Sequence, residues 1–340
     1  MNISNVRELD EVLSRPHQAD IAAMHDLGGD LLLVGVNGKM GPSLAMRARR
    51  AATAAGAAMR VIGVSRFSDP AGRKLLDDAG IETIQADVLD EAQLAALPDA
   101  PNVVSMAARK FGSTGDEPYT WAMNAYMPAR LAERFKHSRI VTFSSGNVYP
   151  MTPVAQGGST EDSVLEPVGE YAMSAIARER LLSHMSKKNG TPMTILRLNY
   201  AVEMRYGVLL DIGTKVFNRE PLDLAMGNAN VIWQGDANSV CLRSFAIAAT
   251  PPTVLNLTGP ETISVRCVAK RFAQIFGCDA QFQGTEGPTA LLNNAARCFR
   301  IFGYPTVSID ELIEWTARWI GAGGETLNKP THFEARDGRF

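Results

Sequence analysis

LLLVGVNGKMGPSLAMRARRAATAAG, residues 31–56, is the stretch that decides the fold. Its first six residues are an apolar run of strand length, bounded by glycine, which reads as a buried strand. The run ends in Gly35, Gly38 and Gly41, a GxxGxxG spacing, with Pro42 next and a helical pattern after it. Between a strand and a helix, such a loop lets backbone N–H groups approach a pyrophosphate seated on the positive end of the helix. Gly35 makes the tight turn, Gly38 permits close approach, Gly41 lets helix and strand pack, and Pro42 suits a first helical turn. Asn37, Lys39 and Met40 complete the expected cofactor-binding loop. By itself the motif also fits a glycine-rich turn with no ligand.

Outward from this stretch the same rhythm repeats. Apolar runs at 59–65, 81–87, 102–108, 139–145 and 193–198 alternate with helical patterns. Val-, Ile- and Leu-rich runs separated by helices predict a parallel sheet covered on both faces. Right-handed crossovers then make an α/β, doubly wound (Rossmann) sheet. Residues 1–28 read as a polar helical lead-in and 29–200 as the dinucleotide-binding domain. Residues 201–340 read mainly as a smaller substrate-binding portion, interleaved with the sheet through the late run TVLNLTG (253–259).

The bulk composition bounds the function. The chain has 340 residues, 46% hydrophobic and 21% charged, enough to bury a core without disulfides. The formal net charge is −2 with no block of Lys or Arg, which speaks against nucleic acid and anionic membranes as partners. No apolar run is long enough to span a bilayer. The acidic N-terminal stretch MNISNVRELDEVLSRP has no apolar centre, so a cytoplasmic location is expected. Cys241, Cys267, Cys278 and Cys298 lack metal-ligand spacing and read as reduced thiols, with no metal expected.

The second strand ends Val64-Ser65-Arg66, with no acid to hold a ribose 2′-hydroxyl. Ser65 and Arg66 suit a 2′-phosphate, which favours NADP over NAD. Asp69 could bind the ribose if the loop curls back. Asp87-Val88 stands where an adenine amino group needs an acceptor, although Asp87 also reads as a helix N-cap.

Taken in order, these pieces resemble the extended short-chain dehydrogenases/reductases, the group of NAD-dependent sugar epimerases and dehydratases. The resemblance is collinear over about 30–200. It rests on Gly35–Gly41, Asp87-Val88, Ala107-Ala108, Asn124 and Ser144-Ser145-Gly146-Asn147-Val148-Tyr149. It continues through Tyr171 with Ser174 and Glu179, and ends at Leu196-Arg197-Leu198-Asn199. It implies Tyr171 as general acid/base, Ser145 as its hydroxyl partner, and Ala107, Ala108, Arg109, Asn124, Ser144 and Leu198 along the cofactor. Asn147, Asn199 and Arg205 fall to the substrate side, with Lys110, Ser145 and Tyr171. Arg197 reads as half of a structural ion pair. The family's lysine, four residues after the tyrosine, is Ala175 here.

That substitution matters because a phenol, with a pKa near 10, needs positive charge beside it to act as a base at neutral pH. Lys110, just past the fourth strand, is the expected substitute, with Arg109 and Arg205 as further candidates. Tyr171 could also serve as an acid only. A non-catalytic NAD(P)-binding sensor or scaffold is the alternative. Trp233-Gln234-Gly235-Asp236 and the tail KPTHFEARDGRF offer polar donors for a carbohydrate-like ligand, though ordinary loop and terminus fit equally well. Small apolar residues in TWAMNAYM and EYAMSAIA suit helix–helix contact, and the resemblance implies a homodimer through those helices.

Overall fold

Seven segments take up the strands the alternation predicts: β1 (Leu31–Val34), β2 (Val61–Ser65), β3 (Glu82–Gln85), β4 (Asn102–Ser105), β5 (Arg139–Ser145), β6 (Met193–Leu198) and β7 (Thr253–Leu257); all but the edge strand β3, which is polar and partly exposed, are largely apolar. The computed structural model describes residues 3–110, 112–329 and 331–338, so Met1 and Asn2 of the lead-in and Pro330, Arg339 and Phe340 of the tail lie outside it. All seven strands pair in parallel in the order β7-β6-β5-β4-β1-β2-β3. Order reverses beside β1, which leaves a crevice above its C-terminal end. Both faces are apolar, as continuous hydrophobic strands require. Leu31 and Leu33 join the core on one face, Leu32 and Val34 the core on the other.

Helices cover both faces. The lead-in forms α1 (Val6–Ser14) and α2 (Gln18–Leu27), and the glycine loop opens α3 (Gly41–Ala54). The next crossovers carry α4 (Pro70–Asp78) and α5 (Glu91–Ala95). The helical pattern after β4 is broken: α6 (Glu117–Trp121) passes through a π-helical turn, Ala122–Tyr126, into α7 (Met127–Arg134). α8 (Gly169–Asn189) carries the tyrosine motif. Beyond β6 come α9 (Val208–Phe217), α10 (Gln234–Arg243), α11 (Val265–Phe276), α12 (Ala296–Phe302) and α13 (Ile309–Gly321).

The lead-in is tied down by charge. Buried Arg47 of α3 pairs with buried Asp20 of α2 at 2.6 Å, and Asp20 also accepts from Ser239 of α10 at 2.5 Å. The C-terminal portion builds its own apolar core from α9, α11 and α13, yet returns β7 to the edge of the sheet and α10 to its face. Among the described residues, no helix is long and apolar enough to cross a membrane.

Two glycines of the loop meet hard geometric limits. Gly35 has φ +89, and a Cβ there would stand 2.6 Å from Ala107 N; at Gly41 a Cβ would meet Val36 O at 2.0 Å. The first brings the ends of β1 and β4 together, and the second lets α3 sit on the strand.

Candidate active site

Two cavities adjoin over the crevice, sharing Gly35, Gly38, Met106 and Ala108 in their walls. One, of about 230 Å³, runs toward β2 and β3 and is lined by Asn37, Ser65, Arg66, Asp87, Val88 and Ala107. Arg66 is exposed and donates to the Tyr119 hydroxyl at 3.0 Å. Asp87 accepts from Leu89 N at 3.0 Å, while the helix N-cap falls to Asp90, whose carboxylate is better placed for the first turn of α5. Asp69 is taken up as the N-cap of α4, accepting from Ala71 N. A wider depression of about 1050 Å³ lies between α1 and α3, away from the strand ends.

The other cavity, of about 260 Å³, gathers the residues expected to act on a substrate. The end of β4 brings Lys110, the end of β5 brings Ser144, Ser145 and Asn147, α8 brings Tyr171, and the end of β6 brings Leu198 and Asn199. Lys39 and Met40 of the glycine loop close one wall. Ser145 donates to Asn147 Oδ1 at 2.9 Å and accepts from Asn147 N at 3.1 Å, which holds both side chains at the cavity floor.

Several predicted residues are committed elsewhere. Asn124 accepts from Arg109 N and donates to Arg109 O and Ser174 Oγ, so it ties the π-helical turn to the loop after β4. Arg109 is engaged by Asp116 and donates to Gly112 O. Arg205 pairs with Asp10 at 3.0 Å and Glu203 at 3.2 Å. None of these three lines either cavity. Ser144 reaches the cavity wall but donates its hydroxyl to Glu179 at 2.6 Å. Glu179 is paired with Arg197 at 2.6 Å, and Arg197 donates to the Tyr149 hydroxyl, which donates to Asn256. This buried brace joins β5, α8, β6 and β7. The polar groups of 233–236 face inward: Gln234 donates to Ser43, and Asp236 accepts from Thr306. The tail is pinned to protein as well, with Thr331 donating to Asp211 and Arg336 to Thr289. Among the described residues of the tail, only Thr331 reaches the cavity wall.

The tertiary structure adds residues that motif reading passed over. Tyr200 and Tyr206 line the cavity. Tyr200 has φ +44, a left-handed conformation that strains a bulky residue and is held by Tyr200 O accepting from Ile232 N. Burial raises both phenols, so both stay protonated donors at neutral pH. Arg178 also lines the cavity, although it lies two turns along α8 from Tyr171. The signal for Tyr200 was its place next to Asn199; nothing local marked Arg178.

Charge in this cavity is one-sided. Lys39, Lys110 and Arg178 stand in the lining, and among the described residues no carboxylate does. Lys39 is half-buried, but its ammonium is enclosed: it donates to Ala201 O at 2.6 Å and sits 3.9 Å over the Tyr206 ring. Burial, partly offset by Glu203, pushes Lys39 down to about 7. Lys110 is pushed down to about 8 by burial, its ammonium 5.9 Å from the Tyr171 ring centre and 5.8 Å from that of Tyr200.

Known proteins share this architecture. Residues 31–202 match the NAD dependent epimerase/dehydratase family. No curated protein matches the chain in sequence. Among solved structures, UDP-glucuronic acid 4-epimerase from Bacillus cereus, a Y149F mutant in its own numbering, superposes with TM-score 0.72 at 18% identity, covering 86% of this chain and 99% of that one. dTDP-glucose 4,6-dehydratase from Streptomyces venezuelae gives TM-score 0.73 at 18% identity, covering 86% and 97%. The dTDP-glucose 4,6-dehydratase of Bacillus anthracis gives 0.72 at 15%, also covering 86% and 97%. The likeness therefore extends over nearly the whole fold of those proteins.

Proposed function

The chain belongs to the NAD dependent epimerase/dehydratase family, enzymes of the extended short-chain dehydrogenase/reductase type, and from that premise we propose that it acts on a sugar-derived substrate with Tyr171 as acid/base. One observation carries the reading: Tyr171, Ser145, Lys110 and the glycine loop meet in one cavity over the end of β1.

The residues present fit a nicotinamide dinucleotide. Gly35 and Gly38 leave room above β1, the start of α3 offers N–H donors to a pyrophosphate, and the cavity at Ser65, Arg66 and Asp87 suits an adenosine. Absence of an acid at the end of β2, with exposed Arg66 in its place, favours NADP over NAD. Bound there, the dinucleotide supplies the hydride acceptor or donor. Tyr171 gives a proton to, or takes one from, the substrate oxygen at the reacting carbon. Ser145, held by Asn147, hydrogen-bonds that oxygen and orients it. Tyr200 and Tyr206 donate to substrate hydroxyls, and Asn199 borders the same space. Lys110 lies over the rings as a substrate-facing cation.

The one-sided charge favours an anionic member of the class, a sugar acid. The portion after residue 200 serves as the substrate side. Exposed Trp121, Tyr126 (53% exposed), Met173 and Leu181 on α6 to α8 support a homodimer through those helices.

Calorimetry with NAD and NADP, followed by turnover assays on sugars and sugar acids with product stereochemistry recorded, tests the proposal. Tyr171→Phe should bind dinucleotide as the parent chain does and lose about 100-fold or more in turnover. Unchanged turnover in that variant, or no heat with either dinucleotide, would refute it. A dinucleotide that binds without any turnover would point instead to a sensor.

A further inference from the structure

We propose that Arg178 supplies the permanent positive charge beside Tyr171 that Ala175 does not; the inference rests on the reading of Tyr171 as acid/base. Residues 171 and 178 are seven apart on α8, which in a 3.6-residue helix places them on nearly one line. Helical side chains lean toward the N-terminus, so a long arginine at 178 reaches back over the turn that holds Ala175. Ala175 leaves that path open, since its methyl is fully buried against Val148 and Tyr149.

The hydrogen bonds of Arg178 point the same way. It is 3% exposed. Its Nε donates to Asn124 O at 2.8 Å and its Nη1 to Phe143 O at 2.7 Å. Both acceptors are neutral carbonyls. Nη2 is buried without a hydrogen-bond partner among the described residues, and Arg178 lines the same cavity as Tyr171. A buried cation without a carboxylate on it is costly. The neighbouring carboxylate, Glu179, is already held by Arg197 and Ser144. The arrangement makes sense when negative charge appears in the cavity: burial works against the charged guanidinium, and a Tyr171 phenolate, like Glu179, favours it.

Lys110 cannot do this alone. Its ammonium lies over ring faces, and burial brings it to about 8, so it loses charge as pH rises. A guanidinium keeps its charge. No proton moves to Arg178: when Tyr171 gives its proton to a substrate oxygen, the phenolate left behind faces a fixed cation, and the reverse step returns the proton to the phenol.

The test is an alkaline titration of the full chain without dinucleotide, following phenolate absorbance, with the Tyr171 increment identified by subtracting Tyr171→Phe. In Arg178→Gln the increment should move up by about one pH unit or more, as expected on loss of a close opposite charge. In Lys110→Met it should move less. Arg178→Met removes the charge and every donor, whereas Gln removes the charge but keeps an amide donor for a carbonyl, so the pair separates charge from scaffolding, and Met carries the test even if the Gln variant does not fold. Similar upward displacements in the two variants support the proposal. No displacement in a folded Arg178→Gln or Arg178→Met, or a displacement confined to Arg178→Met, overturns it. Loss of turnover in Tyr171→Phe is scored separately, so failure of the acid/base reading is distinguishable from failure of the arginine.

Discussion

Lys39→Met should stabilise the chain at neutral pH, against the usual cost of disturbing a buried side chain. In the folded chain burial lowers Lys39 from 10.5 to about 7. The unfolded chain therefore binds more protons between those values, and stability rises with pH across the window. The penalty is full below pH 7 and gone above the unfolded value. At pH 7 the linkage amounts to roughly 4 kcal/mol, because a tenfold change in proton affinity is worth about 1.4 kcal/mol. Methionine removes that penalty but leaves Ala201 O without the donor it has at 2.6 Å, a loss of about 1–2 kcal/mol. The net expectation is a gain of roughly 2–3 kcal/mol at pH 7 that shrinks by roughly 2 kcal/mol by pH 9. Urea unfolding of both chains without dinucleotide at pH 7, 8 and 9, with unchanged m-values, measures it. Parallel pH profiles for parent and variant would refute the idea that the enclosed ammonium titrates near neutrality.

Other expectations are simpler. Arg197→Met leaves Glu179 buried without its cation and should cost about 3–5 kcal/mol in unfolding free energy while dinucleotide binding survives. Arg66→Ala should weaken NADP binding about tenfold or more and leave NAD binding nearly unchanged, as calorimetry would show; equal losses would mean that Arg66 does not meet a 2′-phosphate. Met173→Glu places charge on the exposed apolar face of α8 and should yield a monomer by sedimentation; an unchanged mass would move any dimer contact elsewhere.

Local sequence carried most of the fold, because an apolar run bounded by glycine records its own burial. β5 (Arg139–Ser145) and β6 (Met193–Leu198) follow their predicted bounds. The break at Ala122–Tyr126 was not legible, because the π turn depends on where Asn124 finds its partners, in the loop after β4. Within the candidate site, Tyr171, Ser145 and Lys110 were legible because each follows a recognisable strand or helix signal, and they come to line one cavity.

By itself the sequence determined the order of strands and helices, the glycine loop and the tyrosine with an alanine where a lysine would stand, since all of these are written in spacings of a few residues. Tertiary structure alone decided which cations face the cavity. Arg205 is drawn away by Asp10, 195 positions distant, Lys39 is enclosed against Ala201, 162 positions distant, and Arg178 is turned inward by carbonyls of Asn124 and Phe143. Burial and pairing of a charge depend on whatever the fold brings beside it, and spacing along the chain does not record that.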